Sequence, residues 1–436
     1  MVTQYRNHPS VILWGVRINE SQDDDALYTR TNVLAHTLDP TRSIGGVRYL
    51  KKSSFLEDVY TFNDFSHNGK TPGCEKKRNV TPDRSRAYLI SEYNGHMFPT
   101  KPFDSEEHRL EHALRHANVL DAVAKESDIA GSFGWCMFDY NTHRDFGSGD
   151  RICYHGVTDM FRNPKLAAAV YASRQKDVPV LEISSSMDIG EHPAGSIGRV
   201  FAFTNADELR FYKNDILIRS YTHADSPYRY LSPAPIEIDD FLGERLAENE
   251  DFPPEQAALL KDLLNHIARF GTAGFPPAVK AKAALLMTRY HMSLGDAEAL
   301  YRKYIGDWGG AATSYRFEAV TDGEVVKIVV KAPAAGLSLR VRPSHTVLRE
   351  GDTWDAALLR ISMMDHNGNV LPWWNGRVEI ELDGPVALIG PADATLRGGF
   401  GGALLRSLGR SGPASATFRA EGAEPVTVDF TVETEE

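Results

Sequence analysis

The sequence predicts a multidomain chain, α/β in its first part and all-β in the remainder, with a block of helices set between strands. Three observations carry that reading. Residues 1–175 alternate short apolar runs with helix-period segments, the pattern of a parallel sheet. Residues 176–335 open and close on strand-like sequence but turn helical by period at about 237–306, so they read as a β-sandwich with a helical insertion. Residues 336–436 alternate apolar and polar side chains in short runs broken by Gly, Pro, Asp and Asn, the pattern of an immunoglobulin-like β-sandwich.

Taken in order, Val11-Ile12-Leu13-Trp14 is a bulky apolar run opened by Pro9 and Ser10, and reads as a buried strand. It runs on to Asn19-Glu20. A strand of a parallel sheet that ends this way brings a carboxylate to the carboxyl edge, where α/β barrels hold their chemistry. Thr41 to Val47 and Asp58 to Phe65 are the next strands, and Lys70 to Arg86, polar and rich in Pro and Gly, reads as a loop over that edge. Ala87 to Tyr93 is another short strand, and it too ends at a glutamate, Glu92. Two carboxylates at two strand ends suit general acid/base work better than a core. Asp104 to Ser127 is a helix, because Leu110, Leu114, Ala117, Leu120 and Val123 fall at helical spacing. Residues 200–215 read as two strands joined by a turn. Pro253-Pro254 and Pro276-Pro277 sit where helices begin, since the first turn has no use for the missing N–H. Strand sequence resumes at Ser314 to Val330. Asp365-His366-Asn367-Gly368-Asn369 is a hairpin-type turn, and Val378–Leu382 and Val426–Phe430 show period two.

The net charge of −11 with no basic run argues against nucleic acid. No apolar stretch is long enough to span a bilayer, and no secretion signal is visible, so a cytoplasmic location is expected. Cys74, Cys136 and Cys153 are odd in number and form no CxxC pair, which points to reduced, structural thiols. His112 and His116 have i, i+4 spacing but no third ligand in view, so no metal and no cofactor is expected.

Several of these segments resemble glycoside hydrolase family 2, the β-galactosidase and β-glucuronidase group. Asn7-His8-Pro9-Ser10-Val11-Ile12-Leu13-Trp14-Gly15 through Asn19-Glu20 is similar to its acid/base strand, the fourth of a (β/α)8 TIM barrel. Ile90-Ser91-Glu92-Tyr93 resembles its nucleophile strand, the seventh. Gly131-Ser132-Phe133-Gly134-Trp135 with Asp139-Tyr140 resembles the eighth, and Gly156-Val157 to Asn163-Pro164-Lys165 the closing helix. The resemblance implies a partial barrel, strands four to eight, over residues 1–175. It implies a retaining exo-β-glycosidase of the β-galactosidase kind, with Glu20 as acid/base and Glu92 as nucleophile. Asn19 would meet the sugar's 2-hydroxyl, Trp135 would floor the sugar subsite, and Asn63, Asp64, His67 and His96 would line the mouth. Asp64 stands where many relatives carry a tyrosine, so that tyrosine's role is not carried over. Arg17 reads either as a helper of the pair or as a salt bridge in the barrel wall. Trp373-Trp374 reads either as a sugar-stacking patch or as one core and one surface tryptophan.

The family's upstream sandwiches and first three βα units have no counterpart here, so the resemblance implies a fragment, or one partner of a two-chain enzyme. Glu20 would then sit on an edge strand and be wetted. The partners implied are a β-galactoside or related oligosaccharide and either the missing amino-terminal half or a second copy. The alternatives are a remnant without turnover that binds glycans weakly, and β-glucuronidase or β-mannosidase specificity.

Overall fold

The apolar runs of the first part form five short strands, β1 (Leu13–Gly15), β2 (Ser43–Gly45), β3 (Tyr60–Asp64), β4 (Tyr88–Tyr93) and β5 (Gly131–Gly134). β1 pairs with β2, and β3, β4 and β5 form a second sheet, every pairing parallel. Parallel bridges Gly45↔Val59 and Arg48↔Phe62 carry the run from β2 to β3. The connections hold α2 (Asp25–Leu38), capped by the Asp24 carboxylate, and α4 (Glu106–Lys125); α1 (Val2–Tyr5) precedes β1, and α3 (Lys77–Val80) is a short helix inside the segment read as loop. The computed structural model describes residues 1–71, 73–95, 98–145, 147–188, 190–192, 195–306 and 312–435. They divide into two units. The first is Met1–Pro99, Glu111–Gly156 and Tyr228–Ala234; the second is Thr100–Leu110, Val157–Pro227 and Pro235–Glu436.

The core of the first unit is built from the sheet's alternating side chains and the facing stripe of α4: Tyr60, Phe62, Tyr88, Ile90, Tyr93 and Val119. A smaller cluster joins Trp14, Ile44 and Ala35 under β1. The expectation that Val11 to Trp14 is buried throughout is corrected. Trp14 is buried, but Ile12 is 80% exposed. Among the described residues β1 has a strand neighbour on one side only.

In the second unit, Leu181–Ile183, Val200–Thr204 and Ile236–Ile238 make a three-stranded antiparallel sheet. Ile216–Thr222, Glu208–Lys213, Tyr315–Thr321 and Glu324–Lys331 make a four-stranded one. Residues 200–204 and 208–213 are both strands, as the sequence indicates, but they cross from one sheet to the other. The hairpin is the next pair, 208–213 with 216–222, turned by Asn214 and Asp215, both at positive φ as a type I′ turn demands. Four helices follow, Arg245–Asn249, Pro254–Phe270, Pro277–Arg289 and Leu294–Tyr304. Their Leu246, Leu260, Leu264, Leu286 and Tyr304 enter the same core as the strands' Phe211, Ile236 and Phe317. Among the described residues Glu324–Lys331 pairs with its hairpin partner alone, and Val325, Val326 and Ile328 are exposed on it. The Asn369 amide donates to the Val330 carbonyl near its end, at 2.8 Å.

Residues 338–434 form a second two-sheet arrangement, four strands (338–343, 356–364, 400–407, 386–388) facing five (347–350, 426–434, 412–420, 376–383, 393–396). Leu359, Ile361 and Leu405 of one sheet and Val378, Phe418 and Val432 of the other share one core. Trp374 is buried against it and Trp373 is exposed. Among the described residues no helix is long and apolar enough to cross a membrane.

Candidate active site

β4 departs from regular pairing where its sequence reads Ser91-Glu92. Phe62 stands opposite Ile90, yet Asn63 stands opposite Glu92, so one residue of β4 is left over. The same break recurs against β5, between Ile90 and Tyr93. A bulge of this kind re-aims the side chains beyond it. Here it sets Glu92 across from Asn63 at the carboxyl ends of β3 and β4.

The Asn63 amide is the centre of the arrangement. Its Nδ2 lies 3.0 Å from Asn19 Oδ1, 3.3 Å from Glu20 Oε1 and 3.3 Å from Glu92 Oε2. The two glutamate oxygens share one nitrogen, so they are separated by no more than twice 3.3 Å. Ser91 Oγ donates to Asn63 Oδ1 at 2.8 Å, and the Asn63 backbone N–H donates to the Arg48 carbonyl at 2.7 Å. Asn63 is 1% exposed, a buried residue under the pair. Asn19 and Glu20 are exposed, and Glu20 has φ +54°, the left-handed region that a β-carbon disfavours.

The two carboxyls differ in surroundings. Burial, and after it the Glu20 carboxylate, push the Glu92 carboxyl up to about 7. Glu92 Oε1 also faces Gly95, where an added β-carbon would come to 3.0 Å. Burial is the larger cause, because Glu92 is half-buried where its charge meets less water.

Trp135, at the end of β5, is 37% exposed with its backbone N–H on the Tyr93 carbonyl, and Tyr140 meets its ring edge-on at 6.0 Å. It offers a partly open aromatic surface. Asp64 and His67 do not line the mouth, and that expectation is corrected. Asp64 is 1% exposed, and its oxygens accept from Ser66 N, Ser66 Oγ and Glu75 N, which ties down the following loop. His67 is buried with Nδ1 at the Thr71 carbonyl. His96 lies outside the described residues. Arg17 is buried in an ion pair with Asp23 and stacks over Tyr28, the wall role. His112 and His116 pack edge-to-face. Burial, then His67, push His116 down to about 3. Among the described residues no group of His, Cys, Asp and Glu is placed to hold a metal. Sequence reasoning missed Ser91 and the central place of Asn63. The only signal was that each stands near a strand end beside an acidic residue, Asn63 before Asp64 and Ser91 before Glu92.

Residues 1–180 match the model of the glycosyl hydrolases family 2 TIM barrel domain. The chain is 39% identical over 405 residues to a beta-galactosidase of Thermoanaerobacterium thermosulfurigenes, covering 92% of this chain and 48% of that protein. It is 33% identical to a beta-galactosidase of Rhizobium meliloti, covering 96% of this chain and 49% of that one. It thus spans about half the length of these relatives. Among solved structures, a beta-glucuronidase from glycoside hydrolase family 2 aligns over 99% of this chain and 39% of its own, with TM-score 0.60 at 16% identity. A beta-glycosidase from Bacteroides vulgatus aligns over 98% and 51%, with TM-score 0.60 at 15% identity. At such identity the likeness is one of fold. With the barrel-domain match and the sequence relatives added, the chain belongs to glycoside hydrolase family 2.

Proposed function

We propose that this chain carries the reacting pair of a retaining exo-β-glycosidase acting on terminal β-galactosides. The observation that carries the reading is the meeting of Glu20 and Glu92 at one amide nitrogen. Retaining enzymes hold their carboxyls about 5–5.5 Å apart, whereas inverting ones leave about 6.5–9.5 Å for a water. One oxygen of each carboxyl lies within twice 3.3 Å of the other, a ceiling that admits the retaining distance. The Glu92 carboxylate attacks the anomeric carbon as the bond to the leaving oxygen breaks, and that oxygen takes its proton from the Glu20 carboxyl. Water then attacks the same carbon, gives its proton to Glu20 and releases Glu92. Trp135 supplies an apolar face for the pyranose and Asn19 a contact for the 2-hydroxyl. The five parallel strands serve as the fourth to eighth of the barrel, and the last sandwich is of immunoglobulin type. The choice of galactoside rests on the relatives named beta-galactosidase.

One observation favours a second reading, in which this chain turns over sugars only when another surface encloses Glu20. Glu20 is exposed, and Ile18 near it is 65% exposed. A general acid works best out of bulk water, where burial favours its protonated form. An amino-terminal barrel half or a second copy is the covering partner proposed.

The test is hydrolysis of an aryl β-galactoside followed by proton NMR. The β-anomer is expected as first product; the α-anomer overturns the reading. Glu20→Gln is expected to cost about 10²–10⁴-fold on alkyl galactosides and under about 10-fold on nitrophenyl ones, whose oxygen leaves without help. Equal losses on both would reverse the roles of the glutamates.

A further inference from the structure

We propose that Asn63 is a positioning residue that gathers one oxygen of Glu20 and one of Glu92 onto its amide nitrogen, and that Ser91 fixes which end of that amide they meet. The inference deepens the glycosidase reading and rests on these two glutamates being its reacting pair. An amide has two N–H donors on one side and an acceptor on the other. Turned one way, it donates toward two carboxylates; turned the other, it sets its own oxygen against them. Asn63 Nδ2 has three acceptors within reach, at 3.0, 3.3 and 3.3 Å, all on the side of the pair. On the opposite side, among the described residues, stands one donor, the Ser91 hydroxyl, 2.8 Å from Oδ1. Two hydrogens serve three oxygens, with Asn19 Oδ1 the nearest at 3.0 Å and the two glutamate oxygens held more loosely at 3.3 Å. They tether both carboxyls to one point while leaving each free to change its proton.

The bulge supplies the reason for Ser91. In regular register Ser91 would stand opposite Asn63 and Glu92 would point to the other face. The extra residue brings Glu92 opposite Asn63 and leaves the Ser91 hydroxyl beside the amide oxygen. The surrounding charges are otherwise occupied. Asp64 turns to Ser66 and Glu75 N, and Arg17 to Asp23. His67 and His116 act on one another, and Tyr93 rests on His116. Glu20 is the charged group that acts on Glu92.

The test reads protons directly and needs no turnover. The full chain is labelled with carboxyl-¹³C glutamate, and the resonances of Glu20 and Glu92 are assigned with Glu20→Gln and Glu92→Gln. Asn63→Leu removes both donors; the Glu92 midpoint is expected to rise by about one pH unit, since donors that favour the ionised form are lost. Ser91→Ala is expected to raise it by about half a unit, and Ser91→Thr, which keeps the hydroxyl, to leave it in place. A Glu92 midpoint unmoved in both Asn63→Leu and Ser91→Ala, with thermal melts showing them folded, overturns the proposal. Should Asn63→Leu not fold, Ser91→Ala against Ser91→Thr decides alone. A shift as expected in a chain that hydrolyses no glycoside even with a family 2 amino-terminal half supplied leaves the tether standing and counts against the glycosidase reading instead.

Discussion

Replacing Glu92 by glutamine is expected to lower kcat on every β-galactoside by on the order of 10⁴-fold or more, since no covalent step remains, and at the same time to make the folded chain more stable above neutral pH. The second effect follows from proton counting. Glu92 titrates near 4.5 when free and at about 7 in the fold. Between those values the folded state holds more protons than the unfolded one, so stability falls as pH rises from about 4.5 to about 7 and stays lowered beyond. A shift of this size corresponds to roughly 3 kcal/mol; with the carboxyl partly in water, screening brings the expected loss to about 1 kcal/mol. Glutamine lifts that cost. Glu92→Gln should leave Tm unchanged at pH 4 and raise it by about 2–4 °C at pH 8. A gain of equal size at both values would show that the carboxyl is not held against its proton affinity.

The largest expected loss of stability lies one turn of chain away from the pair. Arg48 and Glu57 are both wholly buried, joined through Nη2 and Oε2 at 2.5 Å, and the Arg48 guanidinium lies 4.4 Å above the Tyr60 ring. The other glutamate oxygen, Oε1, fills the space beside Gly46, where a β-carbon would come to 2.6 Å. Arg48→Met strands a carboxylate in a wholly buried site, and is expected to cost about 3–5 kcal/mol. That is a large part of an ordinary domain's margin of about 5–15 kcal/mol. Arg48→Met with Glu57→Leu should recover most of it, because two apolar groups leave no charge behind. Urea melts of the three proteins decide; a single mutant within 1 kcal/mol of the parent sinks the argument. The pair matters to the site because the Arg48 carbonyl receives the Asn63 backbone N–H.

Much of this was legible in the residues. Glu20 and Glu92 were found from strand ends, α4 from its apolar spacing, and the starts of two helices from Pro254 and Pro277. What was not legible has common physical causes. A bulge changes register by one residue without changing composition, so Ser91 looks like any strand serine. Asp64 sits at a strand end like Glu92, but the loop after it offers nearby backbone N–H groups and its short side chain turns to them. The step from 204 to 208 carries turn residues whether the strands pair or part company, so hairpin and sheet crossover read alike. How far burial raises the Glu92 carboxyl depends on how much water it sees, and the sequence carries no record of that.

The exposed strand Glu324–Lys331 bears on how the chain behaves at high concentration. Its order is Glu-Val-Val-Lys-Ile-Val-Val-Lys, open along most of one edge. Such an edge is a template for recruiting further chains, and fibril-forming segments are apolar, β-prone runs of about six residues. Lys327 splits what would otherwise be one such run, and a charge there must be buried before a second strand can stack flush. Lys327 thereby acts as a gatekeeper, and Lys327→Val should shorten the lag before thioflavin-positive aggregates form while leaving the native fold's circular dichroism unchanged.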